Sequence, residues 1–276
     1  MHDDSDRASY TVRGCLVERS TSAGIGVAGA DAVIEQTLAR DMQPNEWGAG
    51  VGIVAAQPAL FSEARADLTL RSCRVERARG AGVVVSGSDG DIEGVEILDT
   101  QLTSDGVAGS GIVVMKHFYA PFGEASASIR WVTIAGGYEG GIEVFGATAS
   151  IEHSRVSGIL PPTADGYDAA DGIIATWFDP PGVGGEFDLH RSDVTVADSH
   201  IQANERAGVS AFGSDVALSN SLLECNPIPL NSEAIAAPGT ISDGGGNICA
   251  CGADIDICQV LSSQLQAPSP PDPATF

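Results

Sequence analysis

Aromatic side chains make up only 5% of this sequence, so a core built on large rings is excluded. Basic residues are scarcer still, at 14 against 37 acidic ones, for a formal net charge of -23. A phosphate-binding face needs a basic surface, so nucleic acid is not an expected partner, and neither is an anionic membrane. No apolar run approaches the ~20 residues of a membrane-spanning helix. The opening MHDDSDRASY has neither a basic nor an apolar stretch, so no signal peptide is read there. It also offers nothing to cap a strand edge, which predicts sequence missing upstream. H-E-x-x-H, P-loop, G-x-S-x-G and paired C-x-x-C motifs are all absent. GIGVAG at Gly24 fits a dinucleotide fingerprint only formally, because the same glycines recur elsewhere and no helix follows.

What the chain does hold is 34 glycines, against an average share near ~7%. Apolar residues reach 43%, enough for a sizeable core of small and β-branched side chains. One pattern recurs: an apolar residue, two residues, a small polar or thiol residue, one residue, an apolar residue. It is read as VRGCLV from Val12, VIEQTL from Val33, LRSCRV from Leu70 and ILDTQL from Ile97. It continues as IRWVTI from Ile129, IEHSRV from Ile151, VADSHI from Val196 and LSNSLL from Leu218. A second element, Gly-apolar-x-apolar, follows each one, from GIGV at Gly24 to a degenerate AIAA at Ala234.

Anchor to glycine is 12 residues in four coils, and the shortest return to the next anchor is 9 or 10. A coil of 21 or 22 residues is too short for a strand–helix–strand crossover. Short strands joined by tight turns must instead stack on one another and share a core. CLVERSTSAGIGVAG and CRVERARGAGVVVSG, 58 residues apart, read as copies of a two-coil unit whose even coil carries insertions. The expected fold is all-β, a right-handed single-stranded parallel β-helix of about eight coils. Residues 10–237 form it, after an extension over 1–9; a Cys/Gly-rich closing segment spans 238–265 and a Pro-rich tail 266–276. Across residues 10–237 the repeat resembles the pectate-lyase-like superfamily of right-handed β-helices. That resemblance implies a carbohydrate-related protein, among lyases, epimerases, glycosidases, esterases and non-catalytic surface modules. No catalytic motif of a particular branch is present, so no residue role is carried over.

Stacking turns equivalent positions into columns about 4.8 Å apart. Two residues past the anchor, Ser72, Asp99, Trp131, His153, Asp198 and Asn220 are expected to point outward; four past it, Arg74, Gln101, Thr133, Arg155, His200 and Leu222. His153, Asp198, His200 and Arg155 thus form a candidate acid–base cluster, with Trp131 beside it as a sugar-stacking surface. A solvated ion-pair ladder is the competing reading. A rival site lies in the even-coil loops, where Lys116, Tyr119 and Trp177 are candidate substrate contacts. Asp165, Asp168 and Asp171 there are candidate calcium ligands, calcium being the one cofactor considered. Between those loops Val54, Val84, Val113 and Ile174 form an apolar outer strip. It is to be covered by Trp47, Phe118 and Trp177 or used for oligomerisation. Cys15 and Cys73 are expected as buried free thiols. Cys225, Cys249, Cys251 and Cys258 are read as two disulfides closing the solenoid, with a zinc site as the alternative. The functional expectation is a secreted or cell-surface module that binds polysaccharide, with a polysaccharide-active enzyme as the second reading.

Overall fold

The computed structural model describes residues 7–58, 64–117, 123–164, 168–178 and 190–270. Three parallel sheets wind around one apolar core. The first sheet stacks nine strands, from Ser9–Arg13 through Thr148–Glu152 to Thr240–Asp243. The second runs from Leu16–Glu18 to Ile248–Cys251, and the third from Ser22–Ala28 to Val260–Leu261. In the fifth coil one strand, Thr133–Phe145, passes through both the second and third sheets. Each strand of the inner coils pairs in parallel with its counterparts in the coils before and after it, and the short strand Asp254–Asp256 pairs antiparallel with Ile248–Cys251. Winding parallel strands this way gives the right-handed crossover that strand twist favours.

The register explains the repeat. Val12, Ile34, Leu70, Ile92, Ile129, Ile151, Val196 and Leu218 are direct neighbours in the first sheet. From Ile34 to Leu218 their exposure is 0–1%. In the second coil the anchor is therefore Ile34, and Val33 lies outward with 36% exposure. In the fourth coil it is Ile92, five residues before the ILDTQL reading. Pattern matching slipped there because IEGVEI puts Val95 at the small marker position. The eighth third-sheet strand is Ile228–Glu233, with Leu230 opposite Val209, not the AIAA at Ala234. The Cys/Gly-rich segment contributes a ninth, smaller turn, one more than expected.

The small polar marker has a structural task. At this corner the chain turns through a left-handed residue, and a backbone N–H is left pointing along the stack. The N–H of Val132 donates to Ser154 Oγ, that of Ser154 to Ser199 Oγ, and that of Ser199 to Ser221 Oγ, each at 3.2 Å. The recurring glycine is required by close approach. A Cβ at Gly141 would strike Val156 and the carbonyl oxygen of Gly172, and one at Gly172 would strike Ile201 and the carbonyl of Gly208.

The cysteines split by place. Cys225 pairs with Cys251 and Cys249 with Cys258, so the thiolates for a zinc site are consumed. Cys73 is buried and donates to the Ile34 carbonyl at 3.3 Å. Cys15 occupies the same marker position but is exposed, because no described strand lies beyond the first coil to cover it. A thiol reagent should label one cysteine in the native protein, Cys15, and two after unfolding without reductant. Mass mapping that finds four or more labelled cysteines would break this assignment.

The apolar outer strip is covered within the single chain. Val54, Val84 and Val113 pack with Val51, Ala81, Met115, Phe145 and Phe178 into a second core. The cover comes from Phe145 and Phe178, and Trp47 does not join it, being 57% exposed. Phe118 lies outside the described residues. Val54 keeps 8% exposure and Ile174 none.

Candidate functional site

Two clusters have chemistry to offer, on different faces. The first occupies the corner between the first and second sheets. Trp131 and His153 take this corner in successive coils, with φ of 56° and 49°. The corner holds such residues all along the stack, Gln36, Ser72 and Asp198 among them. The left-handed turn projects each side chain away from the core. The two rings stack with centroids 4.3 Å apart and planes 15° from parallel. Trp131 keeps 59% of its surface in solvent, so the stack presents an open aromatic face.

Around this pair the expected acid–base cluster is only partly assembled. Asp198 occupies the next position of the same corner, and the His153 N–H donates to the neighbouring Ala197 carbonyl at 3.2 Å. Arg155 and His200 are register neighbours on the second sheet. But His200 Nε2 lies 2.9 Å from Glu224 Oε2, one coil further on, so its partner is a carboxylate outside the expected set. Among the described residues no hydrogen bond or ion pair joins His153 to Asp198 or Arg155. Asp99 and Gln101 fall out of these columns; their places belong to Gly94 and Glu96.

The second cluster lies on the outward face of the third sheet and was not foreseen. The outward position that carries Val84 and Val113 is occupied in the fifth coil by Glu143. Its side chain folds over Gly140, where any Cβ would collide with the carboxyl group. Ser110 and Asp171 occupy the flanking coils, Asp171 directly beside Gly140 in register. Arg206 grips Asp171 with two parallel bonds, Nε to Oδ1 and Nη2 to Oδ2, both at 2.7 Å. Asp171 is wholly buried, Glu143 is 1% exposed and Glu139 3%.

Burial decides the protonation of this group. Desolvation pushes the Glu143 carboxyl up to about 8; the neighbouring charge of Asp171 adds to the rise, and Ser110 and Arg206 oppose it. Desolvation, followed by the charge of Glu143, raises Glu139 well above the usual carboxylate range. Burial pulls Arg206 down, but its bonds to Asp171 more than offset this and hold the guanidinium charged. Arg206 thus stays charged against Asp171, beside two glutamic acids whose burial favours the protonated form. The signal was legible: GIEV at Gly141 is the coil in which a charged residue interrupts an aliphatic strip.

Asp168 Oδ1 lies 3.2 Å from Arg206 Nη1, so two of the three proposed calcium ligands face a guanidinium that already supplies the positive charge. Asp165 and Tyr119 lie outside the described residues. Among the described residues no group of acids, histidines and cysteines is placed to hold a metal ion. Lys116 is buried, at 3% exposure, and its backbone N–H donates to the Phe145 carbonyl. Trp177 is half-buried over the Gly213 corner. No helix among the described residues is long and apolar enough to cross a membrane.

No protein-family model matches the chain, and no curated protein matches it either. Among solved structures it is similar to pectate lyase Pel9A, at 11% identity and a TM-score of 0.47, over 91% of this chain and 70% of that one. An alginate lyase from Paenibacillus sp. str. FPU-7 aligns at 11% identity and a TM-score of 0.36, over 86% and 98% of the two chains. The catalytic domain of a GH87 alpha-1,3-glucanase aligns at 11% identity and 0.25, over 80% and 50%. The fold rests on the chain's own strand register. The chain is a right-handed single-stranded parallel β-helix.

Proposed function

We propose that this chain is an extracytoplasmic β-helix module that binds polysaccharide at the Trp131–His153 corner. The observation that carries the proposal is the open aromatic face, 59% exposed at Trp131 and held flat by the stacked imidazole. An aromatic plane of this kind suits the apolar C–H face of a pyranose ring, with stacking and burial as its source of affinity. Arg155 lies two residues beyond His153, at the start of the second-sheet strand Arg155–Leu160, where a guanidinium can pair with a uronate carboxylate. The two disulfides fit an oxidising compartment, as a secreted or surface protein meets.

Calorimetric titration against a panel of acidic and neutral polysaccharides tests this reading. Trp131→Ala should weaken binding of the recognised glycan at least tenfold, about 1.4 kcal/mol. Its unfolding free energy should shift by no more than ~0.5 kcal/mol, as for an exposed side chain. Binding that survives both Trp131→Ala and His153→Ala would place the glycan elsewhere, and no binding by the parent protein would end the proposal.

A second reading, a glycan-active enzyme, is favoured by one observation: the Glu143 carboxyl is buried beside the Asp171–Arg206 pair, where desolvation pushes it up to about 8. A protonated carboxyl near neutral pH is what a general acid requires. If this reading is right, Glu143→Gln abolishes turnover of a glycan that Trp131→Ala merely binds more weakly. At 1% exposure, however, Glu143 does not meet substrate in the described arrangement, so binding is the better-supported function.

A further inference from the structure

The corner between the first and second sheets repeats one left-handed turn from coil to coil. Gln36, Ser72, Trp131, His153, Asp198 and Asn220 all hold it, with φ between 49° and 56°. In the fourth coil the residue is Gly94, with φ of 63°. Neither the backbone nor the surroundings require a glycine there. The other coils carry full side chains at nearly the same φ. A Cβ on Gly94 would find atoms of Ser72 as its nearest neighbours, at 3.7–3.9 Å, which is ordinary contact. Relief of the left-handed turn favours glycine equally in every coil, so it does not single out the fourth.

What the missing side chain does is leave the Trp131 ring uncovered. Trp131 comes directly after Gly94 in the column, as the pairing of Glu93 with Arg130 and of Glu96 with Thr133 fixes. His153, from the sixth coil, stacks on one face of the indole. The other face therefore looks toward the fourth coil, over Gly94. No arginine caps it: among the described residues the cation–π contact is that of Arg206 with Phe212. Beyond Gly94 comes Ser72, also short, so the floor stays low for two coil spacings, about 9.6 Å. A ring in contact with the indole needs only about 3.5–4 Å on either side.

The flanks of this recess are polar. On the first sheet Glu93 Oε2 lies 2.7 Å from Arg71 Nη1, with the side chains 41% and 33% exposed. On the second sheet Glu96 Oε2 lies 3.3 Å from Arg74 Nη1, with the side chains 53% and 48% exposed. Each pair offers a carboxylate that accepts and a guanidinium that donates, which complements neighbouring hydroxyls on a sugar ring.

We propose that the recess over Gly94 is a subsite for a single pyranose ring, and that Gly94 is its specificity-determining residue. The sugar extends the His153–Trp131 stack by one member. Its apolar face lies on the indole, and its edges meet Glu93–Arg71 on one side and Glu96–Arg74 on the other. The inference rests on the glycan-binding reading and narrows it: the unit that binds needs free hydroxyls at both edges.

Calorimetric titration with soluble gluco-, manno- and galacturono-oligosaccharides tests it on the parent, Trp131→Ala, Gly94→Gln and Gly94→Ala. Gly94→Gln installs the side chain that Gln36 already carries at this corner, and thermal unfolding with circular dichroism checks that the solenoid is kept. Its amide then lies over the indole in place of the sugar. The oligosaccharide that binds the parent should bind Gly94→Gln roughly tenfold more weakly or worse, as it does Trp131→Ala. Gly94→Ala puts nothing over the ring and should bind as the parent does. Parent-like binding by Gly94→Gln overturns the recess while leaving Trp131 as an open platform. Equal loss in Gly94→Gln and Gly94→Ala traces the effect to the backbone and overturns it as well. A parent that binds none of these sugars removes the glycan reading itself, and the subsite with it.

Discussion

Replacing Ile151 with Asp unfolds several coils, whereas replacing Val33 with Asp leaves the solenoid standing. Ile151 has no exposed surface and sits between Ile129 and Val196 in the first sheet. A carboxylate there loses apolar contacts on three sides and finds no donor among the inward side chains of the neighbouring coils. It must stay charged in an apolar core or take up a proton, and either outcome costs more than about 4 kcal/mol. For a chain of this size each kcal/mol shifts the midpoint by roughly 2–4 °C, so thermal unfolding should move down by roughly 10 °C or more. Because each coil rests only on its neighbours, the damage spreads along the stack, and the transition should broaden as well as shift. Val33 is the informative control. The sequence pattern makes it an inward anchor, but the register turns it outward at 36% exposure. Val33→Asp should change stability by at most ~0.5 kcal/mol. Equal damage from both substitutions would mean that the second coil follows the pattern and not the register.

That contrast marks how far the sequence could be read. The repeat announced the fold because its cause is local and periodic. An inward aliphatic and a glycine under the neighbouring coil's side chain recur with nearly every turn, and in four coils a hydroxyl, of Thr37, Ser154, Ser199 or Ser221, accepts the preceding coil's N–H. Reading failed where two residues satisfied the same pattern. Val33 and Ile34 are both aliphatic, and Ile92 and Ile97 are both followed by acceptable partners. One-residue slips send a side chain to the opposite face, and composition alone does not detect them. The last coil escaped for another reason: its core is closed by Cys249–Cys258 rather than by an aliphatic anchor.

The candidate sites were legible to different degrees. The Trp131–His153 contact came directly from column geometry, since the fifth and sixth coils were in correct register. His200 stands in its expected column, but its partner Glu224 is one coil further on and two residues beyond the position directly across, outside both outward columns. The Asp171–Arg206–Glu143 cluster depends on a guanidinium from the seventh coil reaching a carboxylate of the sixth, 35 residues earlier. No short motif encodes such a contact. Asp171 could be seen as an acid, but whether its partner is calcium or arginine is settled only by what stands across from it.

Stability should fall steeply between pH 4.5 and about 8, and Glu143→Gln should remove much of that fall. In the unfolded chain Glu143 gives up its proton near 4.5, whereas in the folded chain burial holds the proton to about 8. Between those values the unfolded state binds fewer protons than the native one, so the free energy of unfolding decreases as pH rises. The contribution is complete below 4.5, diminishes through the interval and is gone above about 8. A pKa difference of this size corresponds to roughly 5 kcal/mol as an upper figure. Relaxation of the covering segments or water entry would reduce it. Glu139, raised in the same direction, adds to the slope of the parent protein. Glutamine preserves the shape and cannot ionise, so the variant should gain on the parent as pH rises and be the more stable of the two at pH 8. Urea unfolding of both proteins at intervals from pH 4 to pH 9 measures the difference directly. The many carboxylates common to both cancel in the comparison. Parallel curves would show that Glu143 is ionised and solvated in the folded protein, and would remove it as the acid of the enzymatic reading.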